Sequence, residues 1–497
     1  MLLLYLSLLL LALAVHGVRK RFRYWEDRRV PYVTPTFPTG NLRGFGRKFH
    51  IFTIMERCYK QLKGKGPFGG IFMYTNPAAL ALDLDFVKNV LVKDFQYFED
   101  RSFYYNEKDD PLEAHLVALE GTRWKNLRSK VTPIFSSGKM KMMFPTMIRV
   151  ANDLSRLLIK EIEEEKNIEM KEILARYTTD VIGNCAFGVD CNSLYNPEAE
   201  FRQMGKKAFT FRFLKVLIAQ QFREIARALH VTFFDSDVTN FFLKVVKDTV
   251  EYREKNNVQQ NDFMSLLMQL KDPGPESDES KNQQGYLSIE EIAAQAFMFF
   301  LAGFETSSTT MSFCLYELSV NAKLQERARE SVLLSIEKHG SMNYDAIRDM
   351  QFLEQCINES LRKYPPIASL PRTVTRNYPV PDSDGVVLRR GTTMVIPIYA
   401  IHHDSEYYPD PETYDPDRFN PDQVSQRNPF CFIPFGGGPR TCIGLRFGMM
   451  QIRIGLAILL KHFRFTVSSK TVVPLQISPN DLVLSFKGGL WLKLEKL

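Results

Sequence analysis

Residues Phe435 to Gly444 (FGGGPRTCIG) set one cysteine between a glycine-rich loop and an apolar, helix-periodic run from Leu445 to Phe463. This spacing predicts that Cys442 lies beside a helix N-terminus, where the macrodipole and free N–H groups favour thiolate over thiol. Gly436, Gly437 and Gly438 bring no side chains, so the backbone can approach a flat ligand and aim amides at the sulfur. A cysteine placed in this way serves as a nucleophile, a redox thiol or a metal ligand. A phosphate-cradling loop is the alternative, but the G-K-[ST] ending of a P-loop is missing.

A second polar group stands where none belongs. Phe297 to Phe304 is apolar all round, which predicts burial, and it is too short to span a bilayer. Inside the same helical pattern stands Ala302-Gly303-Phe304-Glu305-Thr306. Glycine and a Glu-Thr pair in mid-core oppose both helix propensity and burial. Thr306 is expected to bond back to the Ala302 carbonyl and open a polar notch able to hold oxygen and water. The bland reading of Glu305 is a buried carboxylate satisfied by a nearby cation.

The elements that position these groups follow. Ser288 with Glu291 forms a capping box that opens a helix to about Asn321, some 50 Å long at 1.5 Å per residue. Trp124 and Arg128 lie one turn apart on a basic helical segment, Arg123 to Lys130, with Lys125 and Lys130 expected to point outward. Glu359 and Arg362 are likewise one turn apart, in a helix that Tyr364-Pro365-Pro366 ends. Gly64 to Gly69 fits G-x-G-x-x-G, but helix precedes it and strand follows, the reverse of a dinucleotide fingerprint. The chain therefore offers no nicotinamide site, and electrons must come from a partner.

Taken together, these stretches resemble the cytochrome P-450 superfamily. Its haem signature F-x-x-G-x-R-x-C-x-G is met by Phe435, Gly438, Arg440, Cys442 and Gly444. W-x-x-x-R, A-G-x-[DE]-T, E-x-x-R and P-x-R-F (Pro416 to Phe419) precede it in the family's order. The resemblance implies a mainly α fold with small β-sheets. It implies haem b on the Cys442 thiolate, with Trp124, Arg128, Arg372 and Arg440 as contacts to its propionates. Phe435 and Gly444 belong to the same cofactor-binding loop. Thr306 and Glu305 become a proton relay, while Glu359, Arg362 and Arg418 brace the cysteine loop. The implied activity inserts one oxygen atom of O₂ into small lipophilic substrates, with NADPH electrons delivered by a reductase and cytochrome b5 as an additional candidate donor. A thiolate on haem iron favours O–O cleavage. The wording AGFETSS, DPLEAHL and FGMMQIR is similar to insect microsomal members linked to foreign compounds. Two rivals stand beside this reading: a peroxide-rearranging member of the same fold, and a non-catalytic haem sensor or carrier.

Composition agrees with an ordinary globular chain of 497 residues, 45% hydrophobic and 24% charged. The net charge of +7 without a dense interior basic cluster speaks for anionic lipid or an acidic protein, not nucleic acid. Seven cysteines without disulfide spacing fit a reducing compartment, and Cys314 and Cys356 read as buried thiols in apolar helices. No Cys/His set at zinc spacing occurs.

Leu2 to Val15 is continuously apolar, and Arg19, Lys20, Arg21 and Arg23 follow. Ala12-Leu13-Ala14 offers a cleavage site, but the basic cluster behind the apolar run favours a retained anchor with the body in the cytosol. The expected organisation is a signal-anchor helix at residues 1–18, a basic and proline-rich hinge at 19–41, and one catalytic domain at 42–497. That places the enzyme on the cytosolic face of the endoplasmic reticulum membrane. Between Phe201 and Phe234, phenylalanines 209, 211, 213 and 222 alternate with Arg and Lys. That mixture suits either a substrate-access lid dipping into lipid or two amphipathic surface helices. Lys271 to Gln284 reads as a polar loop. In the tail, Leu482, Leu484 and Phe486, then Gly488-Gly489, then Leu490, Leu492 and Leu494 predict a hairpin with a two-residue turn.

Overall fold

The computed structural model describes the chain except residues 102, 165–166, 211–214, 216–218, 220 and 272–285, and the side chains of residues 10, 11 and 14. The central helix Ile289–Val320 starts where the capping box predicts. Ser288 Oγ accepts from the Glu291 N–H at 3.2 Å, and Glu291 Oε2 accepts from the Ser288 N–H at 3.0 Å. Other helices cover most of its apolar stretch. Met170–Ile182 lies against Gly303, where an added Cβ would stand 2.9 Å from Ile182 Cδ1. Phe297 packs on Phe242 of Ser236–Asn256 with ring centroids 4.8 Å apart. The helix after the cysteine, Leu445–His462, meets it through Gln451. These helices form the larger apolar core.

A smaller core lies under a four-stranded sheet. Phe68–Met73 pairs antiparallel with Asn76–Ala81, which pairs parallel with Thr393–Ile396, which pairs antiparallel with Leu370–Thr373. The helix Ile51–Leu62 precedes the first strand, so Gly64 to Gly69 joins helix to strand as the sequence order required. The architecture is mainly helical with small sheets.

Three expectations change. The first helix runs Leu2–Phe22, past residue 18, and among the described residues no helix is long and apolar enough to cross a membrane. The segment expected to be a hinge is largely docked on the body. Trp25 is fully buried, its indole N–H donates to the Ile71 carbonyl at 3.1 Å, and Tyr32 bridges Gly70. The tail hairpin about Gly488-Gly489 does not form. Trp491–Lys496 pairs instead with Phe463–Val467, and Ile477 bridges Phe486 in a separate turn. Alternation in the tail marked a buried face correctly, with Leu484, Leu490 and Leu492 inside, but it cannot say which strand is the partner.

Of the aromatic and basic stretch, Phe209 packs on Phe304 at 5.2 Å, while Phe222, Ile225 and Leu229 are exposed around the short helix Arg223–Ala228. Phe211 and Phe213 lie outside the described residues, as does most of the polar loop expected at Lys271 to Gln284.

Candidate active site

The cysteine loop is held by its own backbone. The Cys442 N–H donates to the Phe435 carbonyl at 2.9 Å, and Thr441 Oγ1 reaches the same oxygen at 3.4 Å. Gly444 caps Leu445–His462, so the sulfur sits just before a helix N-terminus, as predicted. Six cysteines are buried within packed side chains, Cys314 and Cys356 among them, whereas Cys442 is surrounded by protein yet turns its side chain to open space. Burial still pushes the thiol up, and the Gly444 N–H with Arg101 and Arg128 pulls it down only in part. A metal cation bound at the sulfur would hold it as thiolate.

Four guanidinium groups gather near that sulfur. Arg101 and Arg128 both feel the charge of Cys442, and Arg372 faces Arg101 and Arg440. Burial, then mutual repulsion, presses Arg101 down to about 10 and Arg372 to about 9. Burial and Arg101 bring Arg440 to about 9 against the pull of Asp100, Glu120 and Glu99. Among the described residues Arg101, Arg128 and Arg372 have no carboxylate partner, and Arg440 reaches only Asp100, at 3.5 Å. Arg372 Nε and Arg440 Nη1 are buried without any hydrogen bond. Trp124, from the helix Gly121–Val131, lies flat beneath Arg440, whose guanidinium carbon is 3.9 Å from the indole centroid. Lys125 is exposed and pairs with Glu99, whereas Lys130 is half-buried.

On the central helix Thr306 Oγ1 donates to the Ala302 carbonyl at 2.6 Å, the expected back-bond. Two further donors crowd the same turn. Gln451 Nε2 takes the Gly303 carbonyl at 2.7 Å and Thr178 Oγ1 the Phe304 carbonyl at 2.9 Å. Three successive carbonyls thus each receive a side-chain proton, and Ala302 is exposed between the buried Leu301 and Phe304. Glu305 points elsewhere. Its Oε1 is 3.4 Å from Lys171 Nζ, at the edge of a cavity of about 540 Å³ that Arg202, Lys206 and Ser485 also line and that neither Thr306 nor Cys442 reaches. The cation that the bland reading required is Lys171.

The brace assembles as spaced. Arg362 donates to both oxygens of Glu359, at 2.7 and 2.8 Å, and both side chains are fully buried. Arg418 Nε approaches Glu359 Oε1 at 3.6 Å, and the Asp415 N–H donates to that oxygen at 2.9 Å. Arg362 also donates to the His402 carbonyl at 3.0 Å. His402 Nε2 accepts from the Ile433 N–H at 3.1 Å, which fixes the proton on Nδ1, 3.2 Å from the Arg362 carbonyl. This imidazole links the brace to the strand of chain entering the cysteine loop.

The family profile described as Cytochrome P450 matches residues 30–492. The chain belongs to that family. It is 46% identical over 494 residues to probable cytochrome P450 6a14 of Drosophila melanogaster, covering 96% of each chain. It is 44% identical to cytochrome P450 6A1 of Musca domestica, covering 100% of this chain and 98% of that one, and 41% identical to cytochrome P450 6a2 of Drosophila melanogaster. Membership makes this cytochrome P450 a haem-thiolate monooxygenase. The residues present fit haem: a soft sulfur ligand faces open interior space, and unpaired guanidiniums nearby await two carboxylates. Arg101, His402, Gln451 and Thr178 were not visible in the sequence, since each acts through a partner distant along the chain.

The buried imidazole has a pH consequence. Burial, with His403 and Arg362 adding repulsion, lowers His402 from 6.5 to about 3. Between these values the unfolded chain binds a proton that the native state refuses. The stability it contributes is complete above pH 6.5 and is lost as pH falls, by about 1.4 kcal/mol per unit. His402→Gln, with a donor and an acceptor but no titration, is expected to flatten the denaturation curve between pH 6 and 4.5 by that slope. Parallel curves for the two proteins contradict the assignment.

Proposed function

We propose that this cytochrome P450 oxidises small lipophilic foreign compounds on the cytosolic face of the endoplasmic reticulum, drawing NADPH electrons through a flavoprotein reductase. The observation that carries the reading is the cluster of unpaired guanidiniums around a cysteine that faces interior space. Cys442 would bind the haem iron through its sulfur, and Trp124, Arg128, Arg372 and Arg440, joined by Arg101, would hold the propionates of haem b. Phe435 and Gly444 shape the loop against the ring. When bound, haem supplies the activation of O₂ and the transfer of one oxygen atom to substrate, assisted by electron density from the thiolate. The protein supplies protons and the exclusion of bulk water. Thr306 Oγ1 is the last protein atom of the relay, its proton held at rest on the Ala302 carbonyl. Glu305, paired with Lys171 at a cavity that Thr306 does not reach, stands outside this relay.

The first helix, Leu2–Phe22, which is not long and apolar enough to span a bilayer, attaches the enzyme to the membrane surface with Arg19 to Arg23 at the lipid headgroups, and the catalytic domain, residues 42–497, stands in the cytosol. The exposed Phe222, Ile225 and Leu229 meet the same bilayer. Lys125 offers charge to an acidic reductase, and cytochrome b5 uses the same face.

Product formation from a panel of lipophilic compounds, dependent on both NADPH and reductase, tests this function; turnover without either assigns peroxide rearrangement instead. Thr306→Ala is expected to raise peroxide release relative to product by roughly a hundredfold, the lower end of the range for a positioned proton donor. Unchanged coupling dismisses the hydroxyl from the relay.

A further inference from the structure

A small cavity of about 120 Å³ lies apart from the Glu305 cavity, between residues 103–118 and the turn at 231–234. Five of its walls are aromatic: Phe103, Tyr104, Tyr105, Phe233 and Phe234. Tyr104 and Phe233 meet edge to face with centroids 5.8 Å apart, and Tyr104 is pinned by its hydroxyl to the Val231 carbonyl at 2.8 Å. The remaining polar wall is Glu113, only 1% exposed, held by the N–H groups of Asn106 at 2.7 Å and Phe233 at 2.5 Å. Asp110, also buried, stands near enough to raise the pKa of Glu113. Among the described residues neither carboxyl has an ion pair. The cations nearby are engaged: Arg123 with Glu107 at 2.7 Å, Arg227 with Glu224 at 3.0 Å, and Lys215, whose charge pulls Glu113 down, with Asp235 at 3.8 Å. His115, on the inner wall, is held neutral by burial.

We propose that this aromatic box is a binding site for an alkylammonium group, with the faces of Tyr104, Tyr105 and Phe233 around the cation and Glu113 as its counter-ion. Ring faces attract a desolvated cation, and a buried carboxyl held at short range only by neutral N–H groups gains from a charge that arrives to meet it. Burial pushes Glu113 up to about 8, and a cation beside it would favour its ionised form. The volume admits a methylated ammonium head and little more. Phe103, 37% exposed, stands at the mouth. This site does not depend on the reading of the haem centre.

The test uses two water-soluble isosteres, choline and 3,3-dimethylbutan-1-ol, titrated calorimetrically into the full-length haem-loaded protein at pH 7. The wild type is expected to bind choline at least tenfold more tightly than the alcohol, and Glu113→Gln to bring the ratio close to one. Equal affinity, absent binding of both, or a preference that survives Glu113→Gln overturns the proposal. Should Glu113→Gln fail to fold, Tyr105→Leu keeps the carboxyl. It must weaken choline at least fivefold while moving the alcohol less than twofold, and equal changes in both also overturn it. The ferrous CO spectrum of each variant separately reports whether the haem site is intact.

Discussion

Glu359→Gln is expected to leave almost no haem-loaded protein, although residue 359 touches neither haem nor substrate. The glutamate answers three partners at once: both forks of Arg362, the Asp415 N–H and the approaching Arg418. Arg362 is completely buried, so an uncharged partner leaves a cation without water or counter-ion. Breaking a buried pair from one side costs about 3–5 kcal/mol, a large part of the roughly 5–15 kcal/mol that holds a domain together. The damage spreads along Arg362 to the His402 carbonyl, and through the His402 ring to Ile433, two residues before Phe435. The yield of haem-loaded protein per cell and the thermal midpoint measure it. A variant with wild-type yield and a midpoint within two degrees, against a shift of roughly 2–4 °C per kcal/mol even in a larger domain, would show that the brace is dispensable.

Gly438→Ala is expected to abolish haem incorporation, while Gly437→Ala next to it is largely tolerated. At Gly438 φ is +68°, and an added Cβ would stand 1.8 Å from the Leu91 carbonyl oxygen. That oxygen belongs to backbone and cannot swing away, so the loop must lift from residues 89–93 and carry Cys442 with it. At Gly437 φ is −155°, which any residue adopts, and the nearest atom is the mobile end of Leu91 at 3.3 Å. The ratio of haem absorbance to protein absorbance after purification separates the two. Equal ratios would mean that the loop is plastic, and that its glycines are needed only for approach of the ring.

Legibility in the sequence followed the range of the interactions. Ser288 and Glu291 are three residues apart and Thr306 bonds four residues back, so their types alone announced the capping box and the notch. Glu359 and Arg362 read as a pair for the same reason. Arg418 and Arg372 came only through family resemblance, and Arg101 came from neither, since nothing around it in the chain marks a charge directed at Cys442. Gln451 lies in a helix and looks like any polar residue there until its bond to the Gly303 carbonyl, 148 residues away, is seen. The tail failed for a related reason. Leu482 is 59% exposed and Trp491–Lys496 pairs with the strand after the cysteine helix, a choice made by tertiary packing over local alternation.

The most direct measurement is the difference spectrum of the reduced protein with carbon monoxide, taken on the purified wild type and on Cys442→Ala. The account predicts a long-wavelength Soret band in the wild type, the mark of haem held by a thiolate, and its complete loss in the variant. A colourless wild type from haem-replete cells, or an unchanged band without the sulfur of residue 442, would contradict it.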